Sequence, residues 1–366
     1  MKKQLGISIY PEQSTFEKDK AYLDLAKSLG YTQVFTSYFH VNNQPIELVE
    51  KINKSLKYAK SIGFYTIADF ENVSLQRLGI DLNDPKKCLE MGIDCIRLDS
   101  PSLPSEIAEL THNRYGIDVQ LNMSNNDHLI TNVMDFKPIK SHLSGCHNFY
   151  PQKNTAIPFD FFKAANQKYL SHRLSTAAFI GSHTGTQGPA LGNKEFPTLE
   201  FMRFFDVTSQ AKILFYCDEI DVIFFGNAYA SKEELTQVSE INRDEITFDL
   251  KIIQKISDVE KKILFNHLHF RRMDITDCFI RYTMTRVYYK EESIPVGRQK
   301  PKYQFGDIVI INNNDSHYKG ECHIILKDDF VDEDKKYNFI GTIKDDEKFL
   351  INFIGPNNRY QFKELK

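Results

Sequence analysis

Ser61-Ile62-Gly63-Phe64-Tyr65-Thr66-Ile67-Ala68-Asp69-Phe70 decides how the chain is read. A glycine stands where a helix C-cap belongs, an apolar residue follows, and a β-branched and aromatic run then ends on an acid. The same order recurs on both sides of it. Ser28-Leu29-Gly30-Tyr31 precedes the apolar run at 33–39, Glu90-Met91-Gly92-Ile93 precedes 95–99, and Arg114-Tyr115-Gly116-Ile117 precedes 118–122. Helix, glycine, apolar residue and strand in series imply βα units and a parallel sheet. Each unit takes about 25 to 35 residues, the length of a strand plus its crossover helix.

Working outward, residues 5–9 read as the first strand, and Phe16, Tyr22, Leu23, Leu25, Ala26 and Leu29 recur at helical spacing after it. A sixth strand at 141–146 runs into Cys146-His147-Asn148-Phe149-Tyr150-Pro151, where proline forbids further ladder hydrogen bonds. A helix at 159–174, a seventh strand at 176–180, a polar loop at 181–189 and a helix starting around 197–200 follow. An eighth strand at 221–225 leads to a helix capped by Ser231, with Glu233 and Glu234 behind it. Eight such units close a TIM (β/α)8 barrel. An open doubly wound sheet would instead carry a glycine-rich phosphate turn after its first strand, and the loop from Tyr10 to Ser14 has none.

Past residue 243 the period changes. Short β runs at 306–314, 321–326, 339–343 and 349–356 alternate with Asn, Asp, Gly and Lys turns, so the expectation is a barrel domain at 1–243 and a small mostly-β domain at 244–366. The charged run 327–336 reads as a solvated loop.

Composition narrows the function. The 366 residues carry 46 basic and 49 acidic side chains, a net charge of -3, which offers no general attraction to nucleic acid or an anionic membrane. Six cysteines lie scattered, without metal or redox spacing. Neither a signal-peptide apolar region nor a membrane-length run is present, and cytoplasmic residence is the default expectation. The expected partner is a small molecule, with a homodimer as an allowed assembly.

In a barrel, chemistry gathers at the C-terminal strand ends. Asp69 with Glu71, and Arg97 with Asp99, are alternate residues at two such ends and should face alike. Together with Glu12 they supply the candidate catalytic carboxylates. Arg97, Asn122, His147, Asn148, Tyr150, His183, Glu200 and Asn227 are the candidate substrate-binding groups. Paired carboxyl groups suit glycoside hydrolysis, in which one protonates the leaving oxygen and the other attacks or activates water. Each residue also has a plainer reading: Asp99 as partner of Arg97, His147 as a core histidine, His183 and Glu12 as exposed loop groups, Glu200 as a helix-start acid. Ser182, Thr184 and Thr186 occupy loops where barrels often hold phosphate.

Gly6-Ile7-Ser8-Ile9-Tyr10-Pro11-Glu12, Arg97-Leu98-Asp99, Leu121-Asn122-Met123-Ser124, His147-Asn148-Phe149-Tyr150-Pro151, and Gly188-Pro189 followed by Pro197-Thr198-Leu199-Glu200 resemble, in order, the motifs of bacterial 6-phospho-N-acetylmuramidases, formerly labelled outer-surface proteins. The region around Gly306-Asp307-Ile308 resembles that family's cyclophilin-like β domain. The resemblance implies a cytoplasmic glycosidase that splits a 6-phosphorylated muramyl disaccharide in cell-wall recycling, releasing 6-phospho-N-acetylmuramic acid and N-acetylglucosamine, with no metal or organic cofactor. Three departures stand out. Asp69-Phe70-Glu71-Asn72 replaces Asp-Val-Ser-Pro, Gly226-Asn227 replaces Gly-Asp, and Gln152 stands where the family has arginine. The last removes a fork-like anion partner and admits a phospho-disaccharide lacking the lactyl group. Two other readings remain: a barrel isomerase or aldolase acting on a sugar phosphate, and a barrel that has lost catalysis and serves as a binding protein.

Overall fold

The computed structural model describes residues 3–39, 45–100, 102–189 and 195–365. Two compact units divide the chain, Met1–Ile241 and Asn242–Lys366, so the expected junction after residue 243 lies just beyond the observed one.

In the first unit β1 (Gln4–Ser8), β2 (Gln33–Ser37), β3 (Tyr65–Phe70), β4 (Cys95–Leu98), β5 (Asp118–Asn122), β6 (Leu143–Cys146), β7 (Ser175–Ile180) and β8 (Val222–Phe225) form a closed parallel barrel, β8 returning to β1. Around it run α1 (Phe16–Ser28), α2 (Ile46–Ser61), α3 (Asn72–Leu78), α4 (Lys86–Met91), α5 (Pro104–Leu110), α6 (Leu129–Asp135), α7 (Phe159–Leu170), α8 (Val207–Tyr216) and α9 (Lys232–Ser239). The recurrent glycines do what the sequence asked of them. Gly63, at φ +86°, turns the chain out of α2 in the left-handed region, and Phe64 N–H then reaches back to Ala59 O at 3.0 Å. Ser231 and Glu234 form the expected capping box of α9.

Alternate strand residues fill the barrel. Phe35, Ile67, Cys95, Cys146, Ala177, Phe179, Val222 and Phe224 make one core cluster, with Phe35 and Phe179 packed edge to face at 5.2 Å. Gly6 leaves room for Phe224, whose ring would stand 2.3 Å from a Cβ at that position. Full burial of each such ring contributes about 1.5–3 kcal/mol. The helix expected around 197–200 is a single 3-10 turn, Glu200–Met202. The α-helix starts later, where Asp206 caps the amides of Thr208 and Ser209.

The second unit comprises β9 (Ile246–Ile252), α10 (Asp258–Phe265), β10 (His269–Phe270), β11 (Phe279–Tyr282), α11 (Thr285–Tyr288), β12 (Asp307–Ile311), β13 (Cys322–Ile325), β14 (Tyr337–Ile343) and β15 (Arg359–Glu364). The sheet order is β10-β15-β9-β14-β12-β13-β11. All pairs in it are antiparallel except β15 with β9. One expected strand is corrected here: most of 349–356 belongs to a 3-10 helix, Asp345–Phe353. Glu347, Leu350, Ile351 and Ile354 are its buried residues and those just after it, a helical spacing that the apolar run concealed. The run 327–336 is an irregular, largely exposed loop.

Candidate active site

Strand register puts Asp69 of β3 beside Arg97 of β4. Both point into the barrel mouth and both are nearly closed to solvent, Asp69 at 6% and Arg97 at 2% exposure. Arg97 Nη1 donates to Asp69 Oδ1 at 2.7 Å and to Asp99 Oδ1 at 3.1 Å, and Nη2 donates to Asn148 Oδ1. Asn122 Nδ2, at the end of β5, donates to the same Asp99 oxygen at 2.9 Å. One guanidinium thus gathers residues from the ends of three strands. Its Nε is buried with no partner among the described residues.

Burial dominates the electrostatics. Loss of solvent raises the Asp69 carboxyl to about 7, outweighing the favourable charge of Arg97, and Asp99 and Glu71 push the same way. Glu12, in the 3-10 turn Pro11–Gln13, is also raised to about 7, chiefly by burial. Its Oε1 accepts from Gln13 Nε2 at 3.1 Å, while Oε2 is buried without a described partner. The Tyr10 phenol feels the charges of both Glu12, which follows β1, and Asp69 of β3, two strands separated in the barrel by β2. Glu71 occupies the N-cap position of α3 and is half-buried.

Several candidate binding groups turn out to support the mouth rather than face it. His147 is fully buried, its ring between Ser124 Oγ (3.1 Å from Nδ1) and Asn166 Oδ1 (2.7 Å from Nε2) and stacked on Phe162. Burial lowers it to about 4, and both ring nitrogens are engaged by protein, which is the core-histidine arrangement. It holds Ser124, whose Oγ accepts from Asn148 N–H at 2.8 Å. Asn148 and Tyr150 are half-exposed on the segment after β6.

Glu200 is a brace. It takes Arg203 Nε at 2.7 Å and Nη2 at 2.6 Å and the amides of Asn154 and Ala156 at 2.9 Å, and the Arg203 hydrogen bonds lower it to about 2. The buried Arg203 also donates to the carbonyls of Tyr150 and Gln152. Asn227, buried, clamps the backbone of Ser182 through two 2.8 Å bonds. His183 Nε2 reaches Phe205 O at 2.8 Å. The hydroxyls of Ser182 and Thr184 both donate to Glu234 Oε2 at 2.5 Å, so the phosphate position inferred for this loop is already filled by a carboxylate that would repel an anion; the correction covers those two residues and not the exposed Thr186.

The sequence reading did not single out Ser124, Asn166 or Arg203, and it took Glu234 only as a helix-start acid. The contacts of Ser124 with Asn148 and of Asn166 with Glu219 span 24 and 53 positions and leave no local spacing to detect, whereas Arg203 stands three residues after Glu200, a local helical spacing. Among the described residues no group of three or more His, Cys, Asp or Glu could hold a metal ion, and no helix is long and apolar enough to cross a membrane. The arrangement that remains is a carboxyl raised to about 7, a second carboxylate and a shared cation at the C-terminal strand ends, which suits proton donation to a leaving oxygen.

Residues 5–240 match the family described as 6-phospho-N-acetylmuramidase, N-terminal, and residues 246–363 match its C-terminal counterpart. A solved structure of an uncharacterized B. cereus protein is 36% identical, covers 100% of both chains and superposes with a TM-score of 0.91. A conserved Enterococcus faecalis protein with an unknown function shares the fold at 22% identity and a TM-score of 0.73, over 99% of this chain and 96% of its own. No curated protein matches.

Proposed function

The chain belongs to the 6-phospho-N-acetylmuramidase family and is a glycosidase of that type, and from that premise we propose that it cleaves a 6-phosphorylated N-acetylmuramyl-N-acetylglucosamine disaccharide in bacterial cell-wall recycling, working in the cytoplasm by paired-carboxylate chemistry. The observation that carries this reading is the single Arg97 Nη1 shared by Asp69 and Asp99.

Asp69, raised to about 7, still holds its proton in a large share of molecules at neutral pH and acts as the general acid. Its proton passes to the glycosidic oxygen as the bond from that oxygen to C1 breaks. Asp99, facing the Arg97 and Asn122 donors, forms the bond to C1 from the opposite side. Water then attacks C1, the ester to Asp99 breaks, and Asp69 takes the water's proton. Two contacts of 2.7 and 3.1 Å to one nitrogen bring these carboxyl groups closer than the roughly 6.5–9.5 Å that an inverting pair needs, which supports retention at C1. Glu12 is the reserve acid on the β1 side, and Glu71 stands beside Asp69.

The test is direct: phosphorylated and unphosphorylated disaccharides are incubated with the purified protein and the products identified by mass spectrometry. Release of 6-phospho-N-acetylmuramic acid from the phosphorylated substrate alone supports the reading. Equal cleavage of both, or of neither, overturns the assigned substrate.

A further inference from the structure

The β-rich unit carries a cavity of about 320 Å³ that the barrel chemistry does not use. Phe279 and Arg281 of β11 and His323 of β13 line it, and Arg281 and His323 are register partners, so their side chains stand on one face of the sheet. Phe279 and Tyr337 flank the imidazole, with ring centroids 5.3 and 5.8 Å away.

The imidazole sets what can bind. His323 is 3% exposed, and its Nε2 lies 3.0 Å from Oε2 of the equally buried Glu321, whose other oxygen accepts from Arg286 at 2.8 Å. A carboxylate only accepts, so the ring proton sits on Nε2 and Nδ1 presents a lone pair. That Nδ1 is buried with no partner among the described residues, and a buried acceptor of this kind calls for a donor. At the rim stand Asp315 and Lys336, paired at 3.9 Å, and Tyr318, 42% exposed. Charges of both signs give no net field favouring an ion. Aromatic walls with a few convergent polar groups describe a small-molecule site.

We propose that this cavity binds an N-acetylated hexosamine. The acetamide N–H donates to His323 Nδ1, the acetyl methyl packs against Phe279 and Tyr337, and ring hydroxyls reach Asp315 and Lys336. The choice of sugar class rests on the glycosidase reading above; the requirement for a donor beside an apolar group rests on the cavity alone. A free monosaccharide and the end of a longer glycan present the same chemistry.

The chain contains no tryptophan, so Tyr318→Trp gives the full-length protein one indole, at this rim. Titration with N-acetylglucosamine should change its emission saturably, with a roughly millimolar midpoint, and glucose, which lacks the acetamide, should bind at least tenfold more weakly. Adding His323→Phe should weaken N-acetylglucosamine at least tenfold. If circular dichroism finds that variant unfolded, Lys336→Met at the half-exposed rim is read instead, with a loss of two- to fivefold expected. Tighter binding of N,N'-diacetylchitobiose than of the monosaccharide identifies a glycan end as the occupant, and the reverse identifies the free sugar; either supports the site. No saturable change, equal response to glucose, or unchanged affinity in the folded variants overturns it. Disaccharide cleavage, followed separately by mass spectrometry on the same protein, reports on the barrel alone: cleavage without binding sinks only the second site, and binding without cleavage sinks only the barrel assignment.

Discussion

Asp69 and Arg97 form a buried ion pair at 2.7 Å, yet the carboxyl of Asp69 is raised to about 7. Desolvation therefore exceeds the attraction of a guanidinium in direct contact, the balance expected where neither charge reaches water. Arg97 thus acts less to keep Asp69 charged than to fix where its proton can go.

Arg97→Met is expected to lower disaccharide turnover by at least a hundredfold and to cost about 3 kcal/mol of stability, because it leaves Asp69 and Asp99 facing each other without a cation. Single-turnover kinetics and urea unfolding check the two effects separately.

The pH dependence has a definite sign. A folded-state value raised from 3.8 to about 7 means that the folded chain keeps a proton the unfolded chain releases, so the associated stability is complete below about 4 and is lost as pH rises through 7. Asp69→Asn should remove that loss, gaining on the parent by about 1 kcal/mol per pH unit between pH 4 and 7. Glu12, raised in the same direction, keeps part of the slope in the variant. Thermal unfolding across this range checks it. Turnover of the parent should show a falling limb near pH 7, as the general acid ionises.

Arg203→Ala should destabilise by about 3 kcal/mol, since it strips the Glu200 brace and the carbonyls of Tyr150 and Gln152 of a buried partner. KM should rise more than kcat falls, because the segment after β6 loses its anchor while Asp69 and Arg97 keep theirs. Gly6→Ala should cost about 1–3 kcal/mol by driving a Cβ into the Phe224 ring, read by denaturant midpoint.

How much of this was legible follows the range of each interaction. The barrel could be read because glycine caps and strand runs are local and recur; Gly63 and its counterparts signal each return to the sheet. The carboxylates at 69 and 99 could be read because strand alternation fixes their facing. The 3-10 helix over Asp345–Phe353 could not, because its apolar residues crowd into 349–353, interrupted there by Asn352, and fit two possible periods. His147 and Glu200 look functional in sequence, but their partners, Asn166 and the amides of Asn154 and Ala156, meet them only once the chain is folded.

Retention can be followed by proton NMR of the freshly released sugar, with the β anomer appearing first from a β-linked substrate and mutarotation later. An α product at first appearance would remove Asp69 and Asp99 as the reacting pair.

The most direct measurement is turnover of the phosphorylated disaccharide by Asp69→Asn and Asp99→Asn, with folding verified by circular dichroism. Both folded variants should lose at least a thousandfold in kcat, with 6-phospho-N-acetylmuramic acid vanishing from the mass spectrum. Near-parental release of that product by either one would contradict the central claim that the carboxylates gathered on Arg97 perform the cleavage.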